Sequence, residues 1–336
     1  MTETFVMPID DETRVAAARR AAEALAVRLG FDETAAGRVA IVVTEAATNV
    51  FKHGGGGEII LAALDADGRR GVELLALDRG RGMASVTESR RDGFSTAGTP
   101  GNGLGAIARL AQSHDIFSQP GRGTALLARL WFGPAAPRRA RHPLTVGGVS
   151  VPKRGETECG DGWSLADRAG GVAIMVVDGL GHGPEAAAAA TQARQVFDQA
   201  RGESPGAVLR AAHRALVATR GAAMAIADVD CERRIVTFAG IGNIYAMVIT
   251  GASRRNMVSH NGTLGHQLRT VAEFTYPWSG EAVLVLHSDG LTTKCSLDSY
   301  PGLAVRDPSL IAGVLYRDFA RGTDDATVVV VTEAAA

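Results

Sequence analysis

The sequence predicts an α/β (α+β) protein of two domains, and three observations lead to this expectation. Alanine-rich segments with apolar residues at helical spacing alternate with short segments that are typical of strands. The length of 336 residues fits two domains of about 150 residues each. Residues 133–143 contain three prolines and three arginines and break every periodic pattern. We therefore place a first domain at 1–132, a semi-rigid linker at 133–143 and a second domain at 144–336.

Composition and charge limit the possible classes of function. A formal net charge of −1 provides no overall basic field that would attract nucleic acid, and no basic face with interleaved aromatic residues is visible. The start of the chain lacks the basic and apolar segments of a signal peptide, and no apolar stretch approaches the roughly 20 residues that span a bilayer. Three cysteines, far apart and in no metal spacing, favour a reducing compartment. We expect a cytoplasmic protein that binds neither nucleic acid nor membrane.

The first domain should begin with a strand at 5–9 and continue into a helix at 11–29, which Gly30 ends. A second helix is expected at 32–52. The remaining elements of this domain are expected at 58–66 and 72–77 (strands), 104–111 (helix) and 125–131 (strand). Together they indicate an α/β sandwich in which helices cover one mixed sheet.

Three polar side chains of the second predicted helix share one face. Glu45, Asn49 and His53 are spaced i, i+4 and i+8. A carboxylate and an amide four residues apart can jointly hold a water molecule and an Mg²⁺ against a nucleotide. The same spacing also occurs in a polar stripe that faces solvent, so the helix alone leaves both interpretations open. For His53 we expect packing at the helix end and no catalytic part.

Three glycine-rich segments follow in the first domain. Asp78 ends a predicted strand and precedes Gly80 and Gly82, so its carboxylate could accept a hydrogen bond from an adenine amino group while the turn passes under the base. Residues 101–105 open a predicted helix, where backbone N–H groups can cradle phosphates. An isolated Gly-x-Gly match is weak evidence. Residues 121–124 then lead into the last strand of this domain.

In this order, the four motifs resemble those of the GHKL (histidine-kinase-like) ATPases, whose fold is the Bergerat α/β sandwich, over residues 1–132. The compact form is similar to anti-sigma-factor and RsbT-type switch serine kinases. The resemblance implies that Glu45 is a catalytic general base, that Asn49 binds the Mg²⁺ of ATP and that Asp78 reads adenine. It implies a lid at 90–100. It also implies cofactor-binding positions in the adenine turn, the phosphate-binding segment and the adenine pocket, namely Gly80, Gly82, Gly101, Gly103, Gly105 and Thr124.

The second domain should contain two packed sheets flanked by helices. A long helix is expected at 184–201, with Pro184 at its first position, and another at 205–220. Strands are expected at 144–151, 169–177, 222–228, 234–239, 243–250, 257–258, 282–286 and 328–332. Residues 159–163 are expected to form a tight turn before the second of these strands.

Four aspartates of the second domain stand at strand edges beside glycine-containing turns: Asp161, Asp178, Asp289 and Asp324. Acids from separate strands can converge at one end of a β-sandwich and hold two oxygen-liking cations. Each aspartate alone is also explained by ordinary turn chemistry, because Asp-Gly is a standard turn dipeptide. The recurrence of the pattern favours the metal site.

These segments resemble the PPM/PP2C metal-dependent serine/threonine phosphatases, specifically the SpoIIE/RsbX/RsbU branch, over residues 144–332. The motifs that carry the resemblance lie at 160–161, 178–183, 288–290 and 324–327. The resemblance implies a PP2C-like αββα sandwich with two Mg²⁺ or Mn²⁺ ions and a catalytic role for Asp178. It implies metal ligation by Asp178, the Gly179 carbonyl, Asp289 and Asp324, and an outer or third-metal role for Asp161.

Several neighbouring residues receive weaker expectations. Asp325 occupies the place where many relatives carry Asn, so we rank it below Asp324 as a ligand. The phosphate-binding arginine of larger PP2C enzymes has no evident match, although Lys153 and Arg154 are near the corresponding place. We expect His182 to stabilise its turn, although proton donation stays open. His287 is expected to be a packed neighbour of the site.

Two classes of function follow. In the first, the chain is a bifunctional partner-switching regulator, which phosphorylates a Ser or Thr of a STAS-type antagonist with ATP and hydrolyses such phosphates. In the second, the first domain binds nucleotide and a partner, such as a sigma factor or signalling complex, and regulates one active phosphatase. The presence of Glu45 favours transfer, because a nucleotide sensor needs no general base.

Overall fold

The computed structural model describes residues 4–66, 68–86, 103–133 and 142–334. The lid expected at 90–100, Gly101 and most of the expected linker lie outside these residues. The chain divides into two units, Met1–Arg138 and Arg139–Ala336. Among the described residues, no helix combines the length and apolar character needed to cross a bilayer.

The described helices of the first unit start at residues that suit helix ends. Asp11 caps α1 (Glu12–Arg28), since its Oδ1 accepts a hydrogen bond from the backbone N–H of Arg14 at 3.0 Å. Asp32 caps α2 (Glu33–Gly54) in the same way, through the N–H of Ala35 at 2.7 Å. The third described helix is α3 (Gly103–Leu110).

One antiparallel sheet packs against these helices. Its strands are β1 (Thr4–Ile9), β2 (Gly57–Ala66), β3 (Arg69–Asp78), β4 (Ser113–Gln119) and β5 (Gly123–Trp131), in the order β1-β2-β3-β5-β4. All four pairings are antiparallel, so the expectation of a mixed sheet was wrong. Short connections after β2 and β4 reverse the chain directly, which makes two of these pairings hairpins. One face of the sheet and the apolar sides of α1 and α2 form the core.

The second unit is an αββα sandwich, as the sequence predicts. Its first sheet has the order β13-β10-β9-β8-β7 and its second the order β12-β11-β14-β15-β6. The strands are β6 (Leu144–Val151), β7 (Asp161–Arg168), β8 (Gly171–Gly179), β9 (Ala222–Asp230), β10 (Ile235–Ile241), β11 (Tyr245–Thr250), β12 (Ser253–Asn256), β13 (Phe274–Pro277), β14 (Val283–His287) and β15 (Ala326–Glu333).

Helices cover the outer face of each sheet. The first sheet packs against α4 (Pro184–Gln199) and α5 (Pro205–Ala215), and the second against α6 (Pro308–Phe319). Between the sheets, buried apolar residues such as Val176, Phe238 and Leu284 form the core of the sandwich.

Two local expectations are corrected by the structure. Residues 159–163 do not form a simple turn, because Asp161 begins β7 and pairs in register with Asp178 of β8. The strand expected at 257–258 instead lies at Ser253–Asn256, where it pairs with β11. The first correction matters for the site, since it places two carboxylates on neighbouring strands at the same sheet end.

Candidate functional site

The first candidate site lies where α3 begins against α2. Glu45 and Asn49 stand one turn apart on α2, and a Cβ atom on Gly103 would lie 2.8 Å from Glu45 Oε2 and 3.6 Å from Asn49 Oδ1. A side chain at position 103 would therefore displace the Glu45 carboxylate. Asn49 Nδ2 is buried and has no hydrogen-bond partner among the described residues. The amide therefore keeps a hydrogen-bonding capacity that the described protein groups do not use.

The carboxylate of Asp78 is held by two of the other predicted nucleotide-site residues. Asp78 is buried, and its Oδ1 accepts hydrogen bonds from the backbone N–H groups of Gly80 at 2.8 Å and Thr124 at 3.1 Å. Ser118 was missed by the sequence reasoning because β4 was not predicted. Its hydroxyl lies 2.9 Å from Thr124 Oγ1 and accepts a hydrogen bond from the N–H of Met83 at 2.8 Å. A hydrogen-bonded network thus fixes the residues around Asp78.

The remaining residues predicted for the nucleotide site lie in the turn after Asp78 and in α3. Gly82 has a φ of +66°, and a Cβ atom there would collide with the carbonyl of Gln119, so the turn after Asp78 requires glycine. Gly105 lies in the first turn of α3. His53 is exposed in the last turn of α2. The structure therefore places Glu45, Asn49 and Gly103 together, and Asp78 with the residues that fix it.

The second candidate site lies at one end of the sandwich. Asp161 is buried and accepts a hydrogen bond at its Oδ2 from the hydroxyl of Ser288 at 2.6 Å. The Ser288 hydroxyl in turn accepts a hydrogen bond from the backbone N–H of Thr327 at 3.0 Å. Burial raises the pKa of Asp161 well above its usual value, and the negative charge of Asp178 raises it further. The hydrogen bond from Ser288 opposes this rise.

The charges of the other predicted ligands change the pKa of Asp178. Its pKa is raised to about 7, most strongly by burial and then by the charges of Asp289, Asp324 and Asp325 in that order. Asn243 opposes it by hydrogen bonding, and its Nδ2 also donates to Asp289 Oδ2 at 2.6 Å. Only a weak signal for Asn243 is present in the sequence, where it follows the glycine-rich turn between two predicted strands.

Asp325 holds two backbone segments at the edge of this site. Its Oδ1 accepts a hydrogen bond from the N–H of Lys153 at 2.8 Å, and its Oδ2 accepts one from the N–H of Gly160 at 3.0 Å. Burial raises the pKa of this carboxyl above its usual value. Its own N–H donates to Asp324 Oδ1 at 3.0 Å. Because both oxygens bind backbone amides, Asp325 serves a structural function that the sequence did not indicate.

The backbone of Gly179 is fixed from both sides. Its N–H donates to the carbonyl of Gly160 at 3.0 Å, and a Cβ atom at this position would collide with the carbonyl of Ala186 at the start of α4. The predicted ligand carbonyl therefore belongs to a segment that tolerates only glycine.

The donor set of this site is chemically suited to hard divalent cations, since it consists of carboxylate oxygens and a backbone carbonyl. The charges of Asp289 and Asp324 raise the pKa of Asp178, which shows that negative charge is concentrated there. Within the described ranges, however, no three acidic, histidine or cysteine side chains are arranged as a metal-ligand group.

The two histidines near the site have different environments. His182 is exposed, and its Nδ1 lies 2.8 Å from Glu156 Oε1. His287 is buried, which lowers its pKa to about 4, and its Nδ1 lies 2.8 Å from the carbonyl of Ser288. Its ring also stacks on Tyr245, with centroids 5.2 Å apart. His287 is thus a packed, neutral neighbour.

Comparison with known proteins shows two separate family matches. Residues 8–130 match the family described as a histidine kinase-like ATPase domain, and residues 168–332 match the family described as stage II sporulation protein E, SpoIIE. Over 132 residues, the chain is 30% identical to the serine/threonine-protein kinase RsbT of Bacillus subtilis (strain 168). That match covers 39% of this chain and 99% of RsbT.

Two solved structures are also similar to this chain. The first, described as "The bacterial stressosome: a modular system that has been adapted to control secondary messenger signaling", has a TM-score of 0.52 and 26% identity and covers 56% of this chain and 98% of its own. The second, RsbX in complex with magnesium, has a TM-score of 0.50 and 18% identity and covers 57% and 96%. At that identity, the likeness to RsbX shows the fold alone.

Replacement of Asp325 should destabilise the protein more than loss of an ordinary surface carboxylate. Asp325→Ala removes the acceptor of two charge-assisted hydrogen bonds and leaves two backbone N–H groups without it, which costs about 2–4 kcal/mol. Urea denaturation would measure this loss, with the exposed Asp298→Ala as the matched control, expected within about 0.5 kcal/mol of the wild type. Equal stability of the two variants would contradict the structural function of Asp325.

Proposed function

This chain belongs to the histidine kinase-like ATPases through its first domain and to the SpoIIE family through its second, and on that basis we propose that it is a bifunctional partner-switching regulator. The first domain phosphorylates a Ser or Thr of a STAS-type antagonist protein with ATP and Mg²⁺. The second hydrolyses phosphoserine or phosphothreonine with two Mg²⁺ or Mn²⁺ ions. The observation that carries the proposal is that one chain contains every residue that the two resemblances imply for the two sites. All of them except Gly101 lie within the described residues.

In the proposed kinase reaction, Glu45 accepts the proton of the acceptor hydroxyl and Asn49 binds the Mg²⁺ that accompanies ATP. The contact of both residues with the position of Gly103 supports this assignment, because it brings a helix N-terminus, which favours phosphate, next to the base. Asp78 accepts a hydrogen bond from the adenine amino group while the amides of Gly80 and Thr124 hold its other oxygen.

In the proposed phosphatase reaction, Asp178, the Gly179 carbonyl, Asp289 and Asp324 hold the metal ions, and Asp161 occupies an outer position. When bound, the two cations supply an activated water and neutralise charge on the phosphate. Positioning comes from neutral donors, since Ser288 orients Asp161 and Asn243 orients Asp289.

Lys153 and Arg154 are the candidates for binding the phosphate of the substrate. The backbone N–H of Lys153 donates to Asp325 at the edge of the site, which holds this basic segment beside the proposed metal ligands. Either cationic side chain can bind a phosphate group.

A kinase and a phosphatase on one chain act at high mutual effective concentration. If both use the same antagonist, the phosphorylation state of that protein depends on the balance of the two rates and not on two separate encounters. We place the protein in the cytoplasm, where ATP and partner-switching proteins meet, with a sigma factor or signalling complex as the further partner.

Asp178→Asn should reduce Mn²⁺-dependent hydrolysis of p-nitrophenyl phosphate and of a phosphoserine peptide by at least about a hundredfold. The reason is that the variant replaces a carboxylate that would hold metal with a neutral amide. Thermal denaturation should show a smaller rise in midpoint on addition of Mn²⁺ than in the wild type, while the exposed Asp298→Asn behaves as the wild type. Substantial residual activity would refute the metal assignment.

Asn49→Ala should weaken binding of Mg²⁺–ATP by about tenfold or more, because it removes the proposed oxygen ligand of the metal. Isothermal titration with a non-hydrolysable ATP analogue would measure the affinity with and without Mg²⁺. Lys52→Ala, an exposed change on the same helix, is the matched control. An unchanged affinity in Asn49→Ala would count against the nucleotide site.

Phosphoryl transfer is best tested in Asp178→Asn protein, so that the phosphatase does not erase the product. With γ-labelled ATP and STAS-domain proteins encoded nearby, label should appear on a Ser or Thr of one candidate. A further Glu45→Ala change should abolish the label while nucleotide binding persists. Bound nucleotide without label on any candidate would favour a domain that binds nucleotide and regulates the phosphatase.

A further inference from the structure

Asp178 lies on the face of β8 that points toward the other sheet. Alternate residues of this strand, such as Ile174 and Val176, pack in the core between the two sheets, and Asp178 follows them on the same face. Backbone pairing continues one residue past the strand, since the N–H of Leu180 donates to the carbonyl of Gly221 at 2.9 Å. Leu180 follows Asp178 by two residues, so their Cα atoms are at most about 7 Å apart.

A further observation is the environment of Leu180. Its side chain is 54% exposed, although its backbone is held by Gly221. The residues on either side are glycines, and Gly181 has a φ of +92° that disfavours any side chain. The segment 179–183 thus projects only Leu180 and His182, and His182 is bound to Glu156.

Two polar contacts lie near the glycine-rich segment. His182 contacts Glu156, and an ion pair joins Arg220 to Glu185 near Gly181. Leu180 is therefore the large aliphatic side chain of the segment that follows Asp178 and the Gly179 carbonyl, and a bound substrate can cover its exposed surface.

The short chain distance between Leu180 and Asp178 determines which substrate residues Leu180 can contact. Successive residues of an extended chain are at most about 3.6 Å apart, so a side chain one or two positions from a phosphorylated residue lies within reach of Leu180 when the phosphate is at the site. We propose that Leu180 is a specificity-determining residue that contacts an apolar side chain beside the phosphoserine or phosphothreonine of the protein substrate. This inference rests on the proposed phosphatase function.

The test compares two synthetic phosphopeptides of equal length and charge, one with leucine on both sides of phosphoserine and one with serine there. Phosphate release with Mn²⁺ gives kcat/KM for each peptide, and p-nitrophenyl phosphate reports hydrolysis without flanking residues. For the wild type we expect about a tenfold preference for the leucine-flanked peptide, the size of discrimination that a few apolar groups provide.

Leu180→Ser should reduce this preference to about one, and Leu180→Met should preserve it, because methionine supplies similar apolar surface. Val305→Ser is the matched control, since Val305 is also an aliphatic residue and is 86% exposed. A disturbance of the loop alone would lower both peptide rates together and leave their ratio unchanged.

Two results would overturn the inference. The first is a wild type without preference between the peptides, and the second is a Leu180→Ser variant that keeps the wild-type ratio. Both leave hydrolysis of p-nitrophenyl phosphate intact, which separates them from failure of the proposed function. A wild type that hydrolyses none of the three substrates with Mn²⁺ would refute the phosphatase proposal and this inference with it.

Discussion

The second domain gathers several carboxylates at one end of a β-sandwich, where they repel one another. Asp161 and Asp178 face each other across neighbouring strands, and the charges of Asp289 and Asp324 act on Asp178 from the other sheet. The groups seen to hydrogen-bond these carboxylates are neutral hydroxyl, amide and backbone donors, which orient them without neutralising them. Such a concentration of like charge reduces stability, and proteins accept that cost at functional sites.

In both candidate sites a glycine lets a backbone segment come close to the site residues, but the elements that carry those residues differ. In the first domain, a helix supplies the polar side chains, and Gly103 lets a second helix begin against them. In the second domain, strands supply the carboxylates, and Gly179 lets a helix carbonyl pass close to the strand end. A site on one helix face needs only two turns of sequence, whereas a site shared by two sheets requires the complete sandwich.

This difference explains what the sequence could predict. Glu45 and Asn49 could be placed together from spacing alone, because helical periodicity brings i and i+4 onto one face. The convergence of Asp161 and Asp178 could not be read in the same way, because it depends on the register between β7 and β8. The strand β7 was itself missed, since its sequence from Asp161 to Arg168 mixes charged and apolar residues without clear alternation.

Two further misses have the same origin in long-range packing. The polar sequence of β4 gave no strand signal, yet β4 supplies Ser118 to the network around Asp78. The backbone-binding function of Asp325 depends on residues more than 160 positions earlier in the chain, which no local pattern can indicate. The fold class and the positions of the motifs were thus predictable, and the residues that support them were not.

The strand order of the second sheet also sets a sequence of events during synthesis. In that sheet, β6 pairs only with β15, although β6 is the first strand of its unit and β15 the last. While the ribosome makes the intervening residues, β6 has no neighbour in its own sheet, and the acids at the start of β15 do not yet exist. The first domain can complete its sheet from its own residues well before then. On each newly made chain, the first candidate site can therefore form before the second.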